Sequence, residues 1–336
     1  MRLTRRNFLV GGALAAGAAG AIGTALAQRP QAFARATPIR VSAQPISRLS
    51  ATDPDRTRFG SLLFRSGLDL KSDVSAFGGF SGLWRSPKGD EIVALADNAQ
   101  VLKARVEMSD GRLSGLSHAV LAPLLLSSGQ LARRSRYYDT ESLAIAGAAA
   151  FVGVERNHAV IRYERSRDGA LVAGVPIKAP QELRDLSNNG GLEALALAPR
   201  RSSLAGALVG LSEGGKGFIL TGSRQGMFTI ALRGGFDVTD MAFLDNGDAL
   251  ILERRFSIFG GFGCRLRRIA ASAIRAGATG VDGEAVYESD ASHRIDNMEG
   301  ISLHREGGET VVTLISDNNF NTNLQRTLLL EFSLSA

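Results

Sequence analysis

Apolar and polar residues alternate with a period of two along most of this chain. The runs are short, and Gly, Asn, Asp or Pro stands at the joins. From about residue 73 onward, strand follows strand at intervals of roughly 10 residues. Long amphipathic runs with a 3.6-residue period are absent, so the pattern predicts an all-β protein.

One phrase recurs within this pattern: a turn, an acidic residue, then an alternating strand. It reads YDTESLAI around Glu141, NGGLEALAL around Glu193, DVTDMAFL around Asp240 and NMEGISL around Glu299. A further copy, GGFSGLW, carries Ser81 in place of the acid, and the five positions are spaced by 60, 52, 47 and 59 residues. Each phrase is followed by a second apolar strand that ends in a polar cluster: EIVALADN, AAFVGVERN, GALVGLSEGG, DALILERRF and TVVTLISDNN. Aligned this way, Asp97, Glu155, Glu213, Glu253 and Asp317 fall at one equivalent spot. Self-similarity at this period is the mark of a β-propeller, in which each repeat is one four-stranded blade.

Four strands can be laid out within each of residues 81–124, 141–183, 192–233 and 240–289. Residues 299–335 give only three, and SLLFRSGLDL from the N-terminal region is the natural fourth. Such closure would join the two ends of the chain and remove an open sheet edge. Five blades are therefore expected. Six is the alternative if VSAQPISRL belongs to another partial sheet.

The first strand of a propeller blade lines the central channel, so Glu141, Glu193, Asp240 and Glu299 are expected around one channel mouth. Like charges in a funnel need a counter-ion. Oxygen-rich sites of this kind suit hard cations, Ca²⁺ above all. Arg156, Arg254, Arg255 and Arg326 lie on adjacent segments and could pair with the acids or hold an anionic group. The second-strand acids are expected at the opposite end of the pair if the strands are full length; strand register decides this.

Composition changes the picture mainly at the N-terminus. Thr4-Arg5-Arg6-Asn7-Phe8-Leu9 resembles a twin-arginine export signal, and Ala25-Leu26-Ala27 offers a cleavage site before Gln28. Residues 1–27 are read as a removable signal, residues 28–40 as a linker and residues 41–336 as the propeller domain. The expected location is the periplasm or the exterior, reached through the twin-arginine export machinery as a folded domain. No stable membrane insertion is expected after cleavage, and a monomer is expected. The lone Cys264 excludes an intramolecular disulfide, so the core must supply stability. The net charge of +6 falls to +3 when Arg2, Arg5 and Arg6 leave, which gives no case for a nucleic-acid partner.

The phrases GGFSGL, DTESLAI, GGLEALAL and NMEGISL, the ERN cluster and the closing SDNNFNTNLQRTLLLEF together resemble the bacterial phytase-like family. That family's name refers to an esterase-like activity of phytases. The resemblance covers roughly residues 45–334 and implies a β-propeller with esterase or phosphoesterase activity. By the residue matches, Glu141, Glu193, Glu299, Asp317 and Asn318 are its family-like polar positions. Alkaline β-propeller phytases, similar in architecture, use carboxylate-bound Ca²⁺ to hold substrate phosphates.

The first functional expectation is a metal-assisted hydrolase of a small anionic ester. Glu193, Glu299 and Glu141 would be its catalytic carboxylates. Glu141, Glu193, Asp240, Glu299 and Asp317 would be its metal ligands, and Arg156, Arg254, Arg326 and Asn318 would hold substrate. The alternative is a non-catalytic propeller that binds a ligand or protein at the channel mouth; a lactonase-type enzyme is a lesser one. Gly210-Leu211-Ser212-Glu213-Gly214 matches G-x-S-x-G, but a second strand rather than a helix is expected after it, unlike a nucleophile elbow. His118, His158, His293 and His304 lack metal-site spacing and read as surface or turn residues. Phe80 and Trp84 read as core.

Overall fold

Five inner strands stand around one axis, each leading a blade: Phe80–Arg85, Thr140–Ala146, Leu192–Leu197, Asp237–Phe243 and Met298–Glu306. Each neighbours the next, and the fifth neighbours the first, so the ring is closed. This computed structural model describes residues 32–187, 190–257 and 260–335. Residues 1–27, read from the sequence as an export signal, lie outside the described residues. No helix among the described residues is long and apolar enough to cross a membrane.

The blades are antiparallel sheets built outward from the inner strand. The second strands are Glu91–Ala96, Ala149–Val154, Leu208–Ser212, Ala249–Ser257 and Glu309–Ser316. Both faces of a blade pack against neighbours, so the strands are apolar on both sides; Leu192–Leu197 is buried at five of its six positions. Apolar side chains gather into five clusters, one at each junction between successive blades. Burial of that surface is the main stabilising term for such a fold.

The fifth blade closes as expected. Thr327–Leu334 pairs with Leu62–Lys71, and Ser42–Ile46 adds outside it. The residues of VSAQPISRL thus extend the fifth sheet, and the blade count is five. Gly67, opposite Leu330, has no room for a side chain: a Cβ there would lie 2.6 Å from Leu330 Cδ2. The segment expected to be a linker is partly built into the fold. Thr37–Pro38 pairs with Arg112–Pro123 of the first blade, and the Phe33 backbone exchanges hydrogen bonds with the Gln100 amide. The N-terminal segment therefore fastens both blades that flank the closure.

A buried ion pair sits in the same junction. Arg85, on the first inner strand, donates to Glu331 of the fifth blade at 2.9 Å. His304 packs beside it, buried, with its ring over Gly89. Burial, with the cations of Arg85 and Arg65 outweighing Glu306, brings the His304 pKa down to about 4. Unfolded, the imidazole titrates near 6.5. Stability from neutral His304 is therefore complete above pH 6.5 and is lost as pH falls from 6.5 towards 4. Relative to a His304→Gln variant, the protein should lose on the order of 2 kcal/mol between pH 7 and pH 4. Paired urea titrations at the two pH values check this; a constant difference between the proteins would refute it.

Candidate functional site

Strand register builds the site. Each inner strand carries one extra residue relative to its partner strand, a β-bulge, near its start. The extra residues are Ser81, Glu141, Glu193, Thr239 and Glu299. A bulge re-aims a side chain that regular alternation would place elsewhere. The residue before each bulge pairs with the last residue of the second strand in four blades, Phe80 with Ala96, Thr140 with Val154, Leu192 with Ser212 and Met298 with Ser316, and in the fourth blade Val238 pairs with Glu253 inside the longer Ala249–Ser257. The next residues, Asp97, Glu155, Glu213, Arg254 and Asp317, therefore stand at the same end of the channel as the bulges. This corrects the expectation of opposite ends: an antiparallel second strand finishes where the first begins.

The fourth blade departs from the alignment by acids. Thr239, not Asp240, is its bulge, and Arg254, not Glu253, takes the place after the pre-bulge pair, opposite Asp237 within the longer second strand. Asp240 is buried and turned to the next blade: Oδ1 accepts the Met241 amide and Oδ2 the Ile301 amide, both at 2.8 Å. Burial holds its carboxyl well above the usual range, against these two donors. Its part is to join the fourth and fifth inner strands, and the expected metal-ligand role for Asp240 does not match that position. Glu253 is likewise structural, buried between Arg265 and Arg267 at 2.7 and 2.6 Å.

Arg254 supplies a cation inside the ring of acids. Its guanidinium donates to Asn297 Oδ1 at 2.7 Å and lies 3.2 Å from Glu299 and 3.8 Å from Glu213. It thus ties the third, fourth and fifth blades at the mouth. Glu299 also accepts from Asn297 Nδ2 at 2.8 Å. Glu193 is buried on the third blade.

The second blade holds the acids differently. Carboxylate oxygens of Asp139, Glu141 and Glu155 lie within 4.8 Å of one another, the one group at metal-ligand spacing among the described residues. At 4.8 Å and an effective dielectric of about 20, each pair of ionised groups repels by roughly 3 kcal/mol. An all-carboxylate donor set of this kind fits a hard cation such as Ca²⁺. Arg156 donates to Asp139 and lies 5.3 Å from the Tyr138 ring centre. Glu141 was expected here. The sequence pattern sets Glu155 only among the row of second-strand acids, and Asp139 joins the group through the fold. A signal for Asp139 exists: it sits at φ 68 where the first blade has Gly79 at φ 65, a left-handed position that Asp tolerates.

The remaining expected residues flank the mouth. Asp317 Oδ1 accepts the Asn319 amide at 2.7 Å. Asn318 Oδ1 accepts the amides of Gly79 and Phe320 at 3.2 and 3.0 Å, latching the fifth blade to the first. Arg326 is half-exposed at the rim, 3.7 Å from Asp296. Ser212 lies in a hairpin between Leu208–Ser212 and Lys216–Ile219, with Oγ accepting the Lys216 amide, so the nucleophile-elbow context is absent there. Of the histidines, only His118 is exposed; His158 sits in a turn as expected but is buried, and His293 and His304 are buried too. None joins the carboxylate group. Cys264 is buried, and burial pushes its thiol pKa far up.

The chain belongs to the phytase-like family, described as esterase-like activity of phytase, which it matches over residues 75–320. No curated protein matches it. Among solved structures, it is similar to the major allergen Mala s 1 of Malassezia sympodialis (11% identity over 82% of this chain and 91% of that one, TM-score 0.42). It is similar to a Myxococcus xanthus glutaminyl cyclase (12%, 89% and 100%, TM-score 0.41). A PQQ-bound aldose sugar dehydrogenase from Streptomyces coelicolor is comparable (13%, 88% and 99%, TM-score 0.39). At these scores the likenesses decide nothing about chemistry.

Proposed function

We propose that the acidic mouth is the active site of an exported, metal-assisted hydrolase of phosphoesters or related esters. One observation carries the reading: the carboxylates of Asp139, Glu141 and Glu155 converge to 4.8 Å at the channel mouth. They would hold the divalent cation, with Ca²⁺ the best match to an oxygen donor set. When bound, the cation supplies Lewis-acid polarisation of the ester oxygen and eases ionisation of a water. Glu193, buried on the adjacent blade, is the carboxylate assigned to take a proton from the attacking water. Arg254, between Glu213 and Glu299, and the half-exposed Arg156 attract an anionic substrate. Family membership supports an esterase-like activity.

The ion pairs of Arg254 and Arg156 favour a second reading, a mouth that binds a ligand or partner without turnover. The readings differ in what Ca²⁺ does. A hydrolase should turn over generic chromogenic phosphomonoesters, carboxylic esters or lactones, and should lose that turnover in chelator. It should also melt at higher temperature with Ca²⁺, because a ligand that binds only the folded state stabilises it. Absence of turnover on all three ester classes, with correct folding, would overturn the hydrolase. Export through the twin-arginine pathway to the periplasm completes the proposal; retention of an Arg5→Lys, Arg6→Lys variant in the cytoplasm would test it.

A further inference from the structure

The channel has a second chamber. Two residues beyond each bulge, Leu83, Leu143, Leu195, Met241 and Ile301 meet as an apolar collar, each 3% exposed or less. The collar separates the acidic mouth from a cavity of about 380 Å³ at the other end of the inner strands, lined by residues of all five. One alternation further on, Ile145, Leu197, Phe243 and Leu303 line this cavity, half-buried. The fifth place in that layer is Arg85, which is drawn sideways to Glu331 and the Gly89 carbonyl. Trp84 also lines the cavity, with the Arg165 guanidinium 4.6 Å from its ring centre.

We propose that this rear chamber is a binding site for a small, neutral, apolar molecule, separate from the acidic mouth. Its volume falls within the range of small-molecule pockets, which are concave, mostly apolar and carry few polar groups. Apolar walls on four blades face the space, and covering them returns wetted hydrocarbon surface to an apolar contact. The rim is charge-balanced: Asp245 and Arg305 lie 3.9 Å apart, both exposed, so neither sign of ligand charge is selected. A protein partner fits less well. A stable protein interface buries on the order of 1,000 Å² or more, whereas the apolar surface here is inside a cavity of about 380 Å³.

The probe is N-phenyl-1-naphthylamine, titrated by fluorescence into the full-length protein. Saturable binding with one probe per chain is expected. Leu303→Glu places a charge in the chamber, and Leu197→Trp fills it without one; each should weaken binding at least 10-fold. Both positions are only partly buried, and circular dichroism identifies any variant that fails to fold. Non-saturable binding, or equal affinity in the wild type and both folded variants, would overturn the proposal.

Discussion

Glu155→Gln is expected to lower Ca²⁺-dependent ester turnover by at least about 100-fold, since a lost metal ligand removes several kcal/mol of charge stabilisation and each 1.36 kcal/mol is tenfold in rate. The substitution keeps the side chain's shape and removes one of three converging charges. Without metal it relieves repulsion against Asp139 and Glu141. The variant should therefore melt no lower than the wild type in chelator, yet gain little from Ca²⁺. That crossed pattern separates a ligand from a structural residue, whose loss would lower stability under both conditions. Thermal melts with and without Ca²⁺, beside initial rates, measure it. Undiminished turnover in Glu155→Gln would remove the second blade from the mechanism.

The architecture was legible in the sequence because two independent periods agree: alternation of two within strands and a recurrence near 50 residues between them. Strand closure by Leu62–Lys71 followed from a missing fourth strand. The site was less legible, and the fourth blade shows why. DVTDMAFL offers an acid at a plausible place, but a bulge shifts phase by one residue, and only the pairing of Val238 with Glu253 and of Asp240 with Leu252 reveals it. One residue of phase exchanges a mouth position for a junction between blades. The triad was hidden differently: Asp139 and Glu141 sit on either side of the first strand's start, while Glu155 arrives from the second strand. The collar could have been read from the same refrains, at the second position after each bulge, once the bulge is known. The burial of His158, His293 and His304 had no local signal, because it depends on neighbouring blades.

Removing one partner of the Arg85–Glu331 pair should be among the most damaging substitutions outside the mouth, at about 3–5 kcal/mol. Both side chains are buried; burial pushes the arginine pKa down and the carboxyl pKa up, each only partly offset by the other. The two single variants should differ. Arg85→Met leaves Glu331 with the Arg65 guanidinium 3.8 Å away, a second cation able to move closer. Glu331→Met leaves the Arg85 cation with two neutral acceptors, the Gly89 carbonyl and the Thr313 hydroxyl. Glu331→Met should thus be the worse. The double variant replaces both charges by apolar groups of similar length and should recover most of the loss, because neither desolvated charge remains. Urea unfolding of the four proteins gives the coupling energy directly. Additive losses would mean that the pair does not act as a unit. In that case the junction between the fifth and first blades would rest on the apolar cluster around Leu68 and Leu329, with Thr327–Leu334 pairing with Leu62–Lys71 closing the fifth blade itself.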